Sequence, residues 1–414
     1  MSKAQKDLIL FDKNSLLFLT IPGLEEALRY EIKSRVILKP LDLGGVVFLE
    51  TSNSLELLEK ALLPRTSSGI IIPFIIEEIK DPRSIHSITT ELRRHRDSFN
   101  KLLKEIYDPK KDRVAFRGIR LSRRDLLKNE KNYNHHFTSV DLARETARVL
   151  LDKSFKVDLK EPNIEIMVLL LGDILIIGWS LLNKLDKKRC WRRHVHHAAL
   201  RPTAAASAIR IISAMRKYDV LYDPMCGFGT IPLENTCILH RVPIGADLGR
   251  EKIQEISEKL VGDKYVGEKL IKGMMEKAPK RVKVLGSDIS LRNIKLASEN
   301  LLTLKDFLKN EWHLEIEDTT KFFRADIFSS EPPQVDIIIT NPPYGIRTTR
   351  PEAIPKLYRA LAEYSYNTGA EIFAVFTPRE EILIEKSKDF WELIKHYKTL
   401  LGDLKVDFLV LKRK

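Results

Sequence analysis

From Thr203 onward the chain alternates helical stretches with short, unbroken apolar runs: DVLYD, RVKVLGSD, DIIIT, EIFAVFT and KVDFLVLK. Runs without polar alternation fit strands covered on both faces, and the helices between them supply the cover. A doubly wound, largely parallel α/β sheet is therefore expected for this half. Sheets of this kind bind ligands outside the carboxyl ends of their strands, so the residues that follow each run are the ones to read for chemistry.

The chain has 414 residues, too many for one compact core at roughly 150 residues per domain. Residues 16–64 read as a small α+β unit: a strand LLFLTI, a helix from near Gly23, a strand GGVVFLE and a further helix ending at Pro64. In the first helix Leu24, Ala27, Leu28 and Ile32 share a face, with charged residues opposite. A second unit, 65–182, opens on GIIIPFIIEEI and includes the strand-like VAFRGIRL. Thr138 and Asp141 are spaced as a capping box before a helix. Ile164 to Leu182 is the longest apolar run, but Gly172 and Asp173 divide it into two β-branched halves. A buried β-hairpin is expected there, not a membrane helix. Residues 183–202 are basic, lack apolar periodicity and read as a linker to the domain at 203–414.

The formal charge is +13, and Lys101 to Leu200 holds 22 Lys and Arg against 13 Asp and Glu. A regional excess of this kind points to a polyanionic partner. Cys190, Cys226 and Cys237 lack the spacing of a disulfide framework or a zinc site. The first residues lack the apolar core of a signal peptide, so a cytoplasmic location is expected. Cys190 with His194, His196 and His197 lacks a second ligand cluster, and no metal is expected.

Four strand ends carry the chemistry. The first run leads into Asp223-Pro-Met-Cys226-Gly227-Phe228-Gly229-Thr230, a glycine turn whose backbone N–H groups can approach an acidic ligand group. No Lys-Ser/Thr follows, so this is not a P-loop, nor is it GxGxxG. Asp288 ends the second run and is placed to accept both hydroxyls of a ribose, with Asp247 as its rival. Asp326, in FFRADIF, could accept from an adenine amino group. Asn341-Pro342-Pro343-Tyr344-Gly345 follows DIIIT. Its two prolines remove backbone donors and fix the turn, so that the Asn341 side-chain oxygen and the Pro342 carbonyl can hold an exocyclic amine while Tyr344 stacks on the base. Holding both N–H groups would direct the nitrogen lone pair at an electrophilic methyl. Cys226, inside the glycine turn and without a second cysteine near the acceptor motif, is not expected to be a nucleophile.

DPMCGFGT, GSD, ADIF and NPPYG in this order resemble the Rossmann-fold S-adenosylmethionine-dependent amino-methyltransferases. HHFTSVDLARE, VDLKEPNIEI and RRHVHHAALRPTAAA resemble the THUMP RNA-binding module and its linker, and PGLEEALRYEIKS with GGVVFLE resembles the ferredoxin-like domain that precedes it. Within the group the chain looks most like the tRNA guanine-N2 methyltransferases that act on the sixth nucleotide of the acceptor stem. Relatives acting on the tenth typically have Asp in place of Asn341. Phe228 departs from the Ser common in relatives, and the insertion after Asp247 is another departure.

The resemblance implies that Asp223, Cys226, Gly227 and Gly229, with Thr203 as a weaker candidate, line the methionine end of S-adenosyl-L-methionine. Asp288 and Ile289 would flank its ribose, Asp326 and Ile327 its adenine. Asn341, Pro342 and Tyr344 would hold the target base, Asn341 also bordering the cofactor. Lys187, Lys188, Arg189, Arg192 and Arg193, with Trp191 between them, form a basic run that could track an RNA backbone. The expected partner is tRNA, with no membrane, no obligate protein partner and a monomeric state. Methylation at the tenth nucleotide or of rRNA, adenine-N6 methylation, and a noncatalytic RNA-binding role are the alternatives.

Overall fold

The computed structural model describes residues 15–32, 45–51, 53–121, 136–195, 199–276, 282–345, 351–402 and 404–414. The N-terminal leader reading and the residues His196 and His197 lie outside these ranges. The first half builds one seven-stranded sheet from β1 (Ser15–Leu19), β2 (Val46–Glu50), β3 (Gly69–Glu78), β4 (Arg113–Leu121), β5 (Lys156–Val157), β6 (Ile164–Leu171) and β7 (Ile174–Leu182). Their order is β2-β1-β3-β7-β6-β4-β5. Because β1 pairs with β3, hydrogen bonding runs unbroken across residue 64, where the sequence suggested a boundary.

The run Ile164 to Leu182 forms the expected hairpin, β6 and β7 pairing antiparallel around Gly172 and Asp173. Pro73 sits inside β3, which a proline without an N–H donor tolerates only at an irregularity. The β3–β7 register shifts there, and the residue opposite is Gly178, where a Cβ would come within 2.4 Å of the Ile72 carbonyl oxygen. Thr138 and Asp141 make the capping box at the helix Ser139–Leu150.

The second half is a sheet of β8 (Val220–Asp223), β9 (Lys283–Asp288), β10 (Thr320–Arg324), β11 (Ile337–Thr340), β12 (Ile372–Thr377), β13 (Trp391–Leu401) and β14 (Leu404–Arg413). The order is β10-β9-β8-β11-β12-β14-β13. The first five are parallel, and β14 and β13 close the edge antiparallel. The expected parallel α/β sheet is thus present with an antiparallel edge. Strand β13 went unread because Glu392, Lys395, His396, Lys398 and Thr399 interrupt its apolar residues, and charge of this kind is common on sheet edges. The chain leaves β8 toward β9 and β10 on one side and β11 and β12 on the other, which places a topological switch at the carboxyl end of β8.

The halves share their cores. Ile21, Leu24 and Ala27 pack with the helix Pro202–Met215, and the inserted helices Arg250–Val261 and Val266–Met275 bury Ile253, Ile256 and Ile271 in the same cluster as Leu57, Leu58 and Leu62. The insertion after Asp247 therefore braces the second sheet against the first half.

Candidate active site

Asp288 and Asp223 end β9 and β8, and Asp326 and Asn341 lie just beyond β10 and β11; the four strands are neighbours in the order β10, β9, β8, β11. Three inter-strand spacings amount to about 15 Å, so the four positions line a single crevice.

Asp223 is buried, and its Oδ1 accepts from Thr340 Oγ1 at 2.7 Å and from the Met225 N–H at 3.1 Å. Burial pushes its carboxyl up to about 7, with the neighbouring Asp288 adding to the shift and the two hydrogen bonds opposing it. The turn beyond is held from β9: the Cys226 N–H donates to the Ser287 carbonyl at 2.8 Å, and the Gly227 N–H donates to Asp288 Oδ2 at 3.1 Å. Gly227 and Gly229 both have positive φ, 55° and 87°, a region that glycine enters without strain. At Gly227 a Cβ would meet nothing within 4 Å, whereas at Gly229 it would press to 2.9 Å of the Phe322 ring. The first glycine leaves open space beside the turn, and the second seats the turn on the protein. Burial and the nearby carboxylates of Asp223 and Asp288 push the Cys226 thiol well above its ordinary range, which disfavours the thiolate that a nucleophile needs.

Asp288 Oδ1 accepts from the Ser290 N–H at 2.9 Å and from Asn293 Nδ2 at 3.0 Å, so the carboxylate is oriented from both oxygens. Its rival Asp247 is buried against Arg65, with 3.1 Å between Oδ2 and Nη1. That pairing takes Asp247 away from the crevice chemistry. Ile289 is 57% exposed, an apolar side chain left open next to the β9 tip. Asp326 Oδ1 accepts from the Phe328 N–H at 3.0 Å, and Ile327 is half-buried against the core behind it.

At the fourth tip the Tyr344 hydroxyl donates to Asn341 Oδ1, and Arg379 Nε donates to the Tyr344 carbonyl at 3.1 Å. Burial holds the Tyr344 phenol above its ordinary range. Pro342 is buried, and Asn341, Pro343 and Tyr344 are half-buried.

Two sequence expectations are corrected. Thr203 is fully buried, and its hydroxyl and N–H both donate to Asp186 Oδ1, which leaves no donor for a ligand carboxylate. Arg189 and Trp191 do not track a surface: both are buried, and both donate to Glu234 Oε1, at 2.9 and 3.0 Å. Arg192 is half-buried and donates to the Asp186 carbonyl, while Lys187, Lys188 and Arg193 are exposed. His194 pairs with Glu299, its Nε2 2.6 Å from Oε2. Among the described residues one His–carboxylate group does converge elsewhere, Glu380, His396 and Asp407, where His396 Nε2 lies 2.6 Å from Asp407 Oδ1.

Asn300 escaped the sequence reading. It is buried, and its Nδ2 donates to the Phe228 carbonyl at 3.0 Å and to the His194 carbonyl at 3.1 Å. The signal was an amide on the stripe of Ile294, Ala297, Leu301 and Leu304, where a buried polar group requires partners. Arg379, which fixes the Tyr344 carbonyl, had no motif to mark it.

Among curated proteins the chain is 29% identical over 236 residues to the tRNA (guanine(6)-N2)-methyltransferase of Archaeoglobus fulgidus, covering 55% of this chain and 53% of that protein. It is 28% identical over 295 residues to the protein of the same name from Methanocaldococcus jannaschii, covering 65% and 71%. The ribosomal RNA large subunit methyltransferase K/L of Aliivibrio salmonicida is 26% identical over 269 residues, 62% of this chain and 35% of that one. The aligned part thus spans about half of the first relative and about a third of the last. Two solved structures share the fold across almost the whole length. SMU.472, complexed with SAH, superposes with TM-score 0.69 at 18% identity over 98% of this chain and 99% of that one. TrmN from Thermus thermophilus gives 0.61 at 20% identity over 97% and 99%. Residues 189–397, half of the chain, contain all four strand tips and match the RMKL-like methyltransferase domain model UPF0020, and the chain belongs to that family.

Proposed function

We propose that the chain is an S-adenosyl-L-methionine-dependent tRNA methyltransferase that forms N2-methylguanosine at the sixth nucleotide of the acceptor stem, acting in the cytoplasm as a monomer. The observation that carries the reading is the order of the four tips: Asp326, Asp288, Asp223 with the glycine turn, then Asn341 to Tyr344. An adenosine, its ribose, a methionine tail and an acceptor amine need those groups in that sequence along one crevice. The open space at Gly227 fits a ligand packed directly on the backbone.

Asp326 would hold the adenine, with Ile327 beside it, and Asp288 the ribose, with Ile289 covering it. Asp223 would face the α-ammonium, and Cys226, Gly227 and Gly229 would form the wall of the methionine end. When bound, the cofactor supplies a sulfonium methyl. The chain's own contribution is to the acceptor. Asn341 Oδ1 and the Pro342 carbonyl accept the two N–H groups of a guanine amine, and Tyr344 covers the base. The Tyr344 hydroxyl donates to Asn341 Oδ1, so the half-buried amide oxygen is held in place by a donor that a substrate amine would replace. Arg379, bonded to the Tyr344 carbonyl, keeps the turn in register. Reaching the amine requires the nucleotide to leave the helix stack, as in other base-modifying enzymes.

The first half, read as ferredoxin-like and THUMP units, would dock the folded tRNA, with Lys187, Lys188 and Arg193 exposed for phosphate contact. The two archaeal relatives named for guanine-6 support tRNA over rRNA. The test is methyl transfer to unmodified tRNA, followed by digestion to nucleosides and mapping by mass spectrometry. N2-methylguanosine at a single acceptor-stem position is the expected product. N6-methyladenosine, activity confined to rRNA, or tight tRNA binding without transfer would each replace this reading.

A further inference from the structure

Glu234 lies on the helix Thr230–Leu239, which starts directly after the glycine turn, and its carboxylate is fully buried. Three groups from outside that helix converge on it. Arg65, at the start of the segment leading into β3, forms a two-pronged bond: Nε to Oε2 at 2.9 Å and Nη2 to Oε1 at 3.0 Å. Arg189 Nε and Trp191 Nε1, both from the connector, donate to Oε1. Arg189 Nη2 also donates to the Arg65 carbonyl at 2.6 Å, and Arg65 Nη1 reaches the Val242 carbonyl at 3.3 Å. The neighbouring guanidiniums hold the Glu234 carboxyl below its ordinary range in spite of its burial.

Apolar contacts between the halves are non-directional and would tolerate a slide or a rotation. A planar guanidinium forked onto a carboxylate fixes both distance and angle. Glu234 is five residues past Gly229, about 7.5 Å along the helix axis, so anything gripping it is coupled mechanically to the cofactor turn. We infer that Glu234, held by Arg65, Arg189 and Trp191, is a positioning residue: it sets the reach from the RNA-docking half to the acceptor corner and thereby selects which nucleotide enters. This rests on the proposed RNA methylation. It explains why basic and aromatic residues of a polar connector are turned inward, and it assigns them to the selection of the modified position.

The test uses the full chain and an unmodified tRNA transcript, comparing wild type with Glu234→Gln and Trp191→Phe. Glu234→Gln keeps the shape and removes the charge. Trp191→Phe keeps the ring and removes one N–H, and it carries the test alone if the glutamine variant shows no cooperative melt. The expected result is a cofactor Kd and tRNA Kd within about twofold of wild type, a kcat lowered by tenfold or more in Glu234→Gln and severalfold in Trp191→Phe, and methyl groups spread onto guanosines beside the wild-type position. A variant that methylates only the wild-type nucleotide at the wild-type rate overturns the inference, as does a loss that follows cofactor affinity alone. Failure of the wild-type protein to methylate tRNA would instead strike the proposed function itself.

Discussion

Thr340 and Asp223 join the two central strand tips of the catalytic sheet: the Thr340 hydroxyl donates to Asp223 Oδ1 at 2.7 Å, one residue before Asn341. The strand ends that lead into the glycine turn and into Asn341 therefore share a hydrogen bond, and in the proposed site the state of the Asp223 carboxyl bears on both.

That carboxyl sits at about 7, raised by burial. The folded chain keeps its proton up to that pH, while the unfolded chain releases it near 3.8. Its contribution to stability is most favourable below pH 4, declines as pH rises toward 7 and is lost above. Pairing with a ligand ammonium needs the ionised form, so cofactor affinity should increase from pH 6 to pH 8, by at most about tenfold per unit. Calorimetric titration across this range checks it. Asp223→Asn should bind weakly and show a flat profile; a step of equal size in the variant would assign the effect to another group.

The two glycines of the turn should respond differently to alanine. Gly229→Ala presses a methyl onto Phe322 at a φ of 87°, and is expected to destabilise the fold by about 1–3 kcal/mol. Gly227→Ala, at a φ of 55° with open space around the Cβ, should lower the melting temperature less while abolishing tight cofactor binding, because the methyl occupies ligand space. Thermal melts with and without cofactor separate the two effects.

Asp288 accepts from the Gly227 N–H and is read as the ribose ligand. Removing a charged acceptor from two hydroxyls should weaken cofactor binding by about 10- to 100-fold in Asp288→Asn, on a scale of roughly 1.5–3 kcal/mol for hydrogen bonds to charged groups. Unchanged affinity would move the ribose elsewhere in the crevice.

The tips at Asp223, Asp288 and Asn341 were legible because each closes a short, continuous apolar run that reads as a covered strand, and the ends of such strands are where this fold binds ligands; Asp326 follows the more polar edge strand β10 and was marked by its motif alone. Arg189 and Trp191 were not. A charged stretch without periodicity reads as solvated, and its burial depends on Glu234, which lies 45 and 43 residues away in sequence. Strand β13 was missed because edge strands carry charge that conceals their alternation. The continuity of the first sheet across residue 64 was equally hidden, since pairing of β1 with β3 is a non-local choice that local patterning does not encode.

Tyr344 donates to Asn341 Oδ1 and, in the proposed site, would also offer the stacking face. Tyr344→Phe keeps the face and removes the hydroxyl, and its kcat should fall only severalfold. Tyr344→Ala removes both, and its kcat should fall by about 10- to 100-fold, base stacking being worth roughly 1–3 kcal/mol. Single-turnover rates with saturating tRNA distinguish them, and equal losses would make the hydroxyl, not the ring, the working group.

The central claim is that Asn341 grips the acceptor amine, a contact with the substrate rather than with the cofactor turn. The most direct measurement is Asn341→Ala, assayed for labelled methyl transfer to tRNA alongside cofactor affinity by calorimetry. Turnover should fall by at least about 1,000-fold, with the cofactor Kd within a few-fold of wild type. Near-normal transfer, or a loss of transfer matched by loss of cofactor binding, would contradict the assignment.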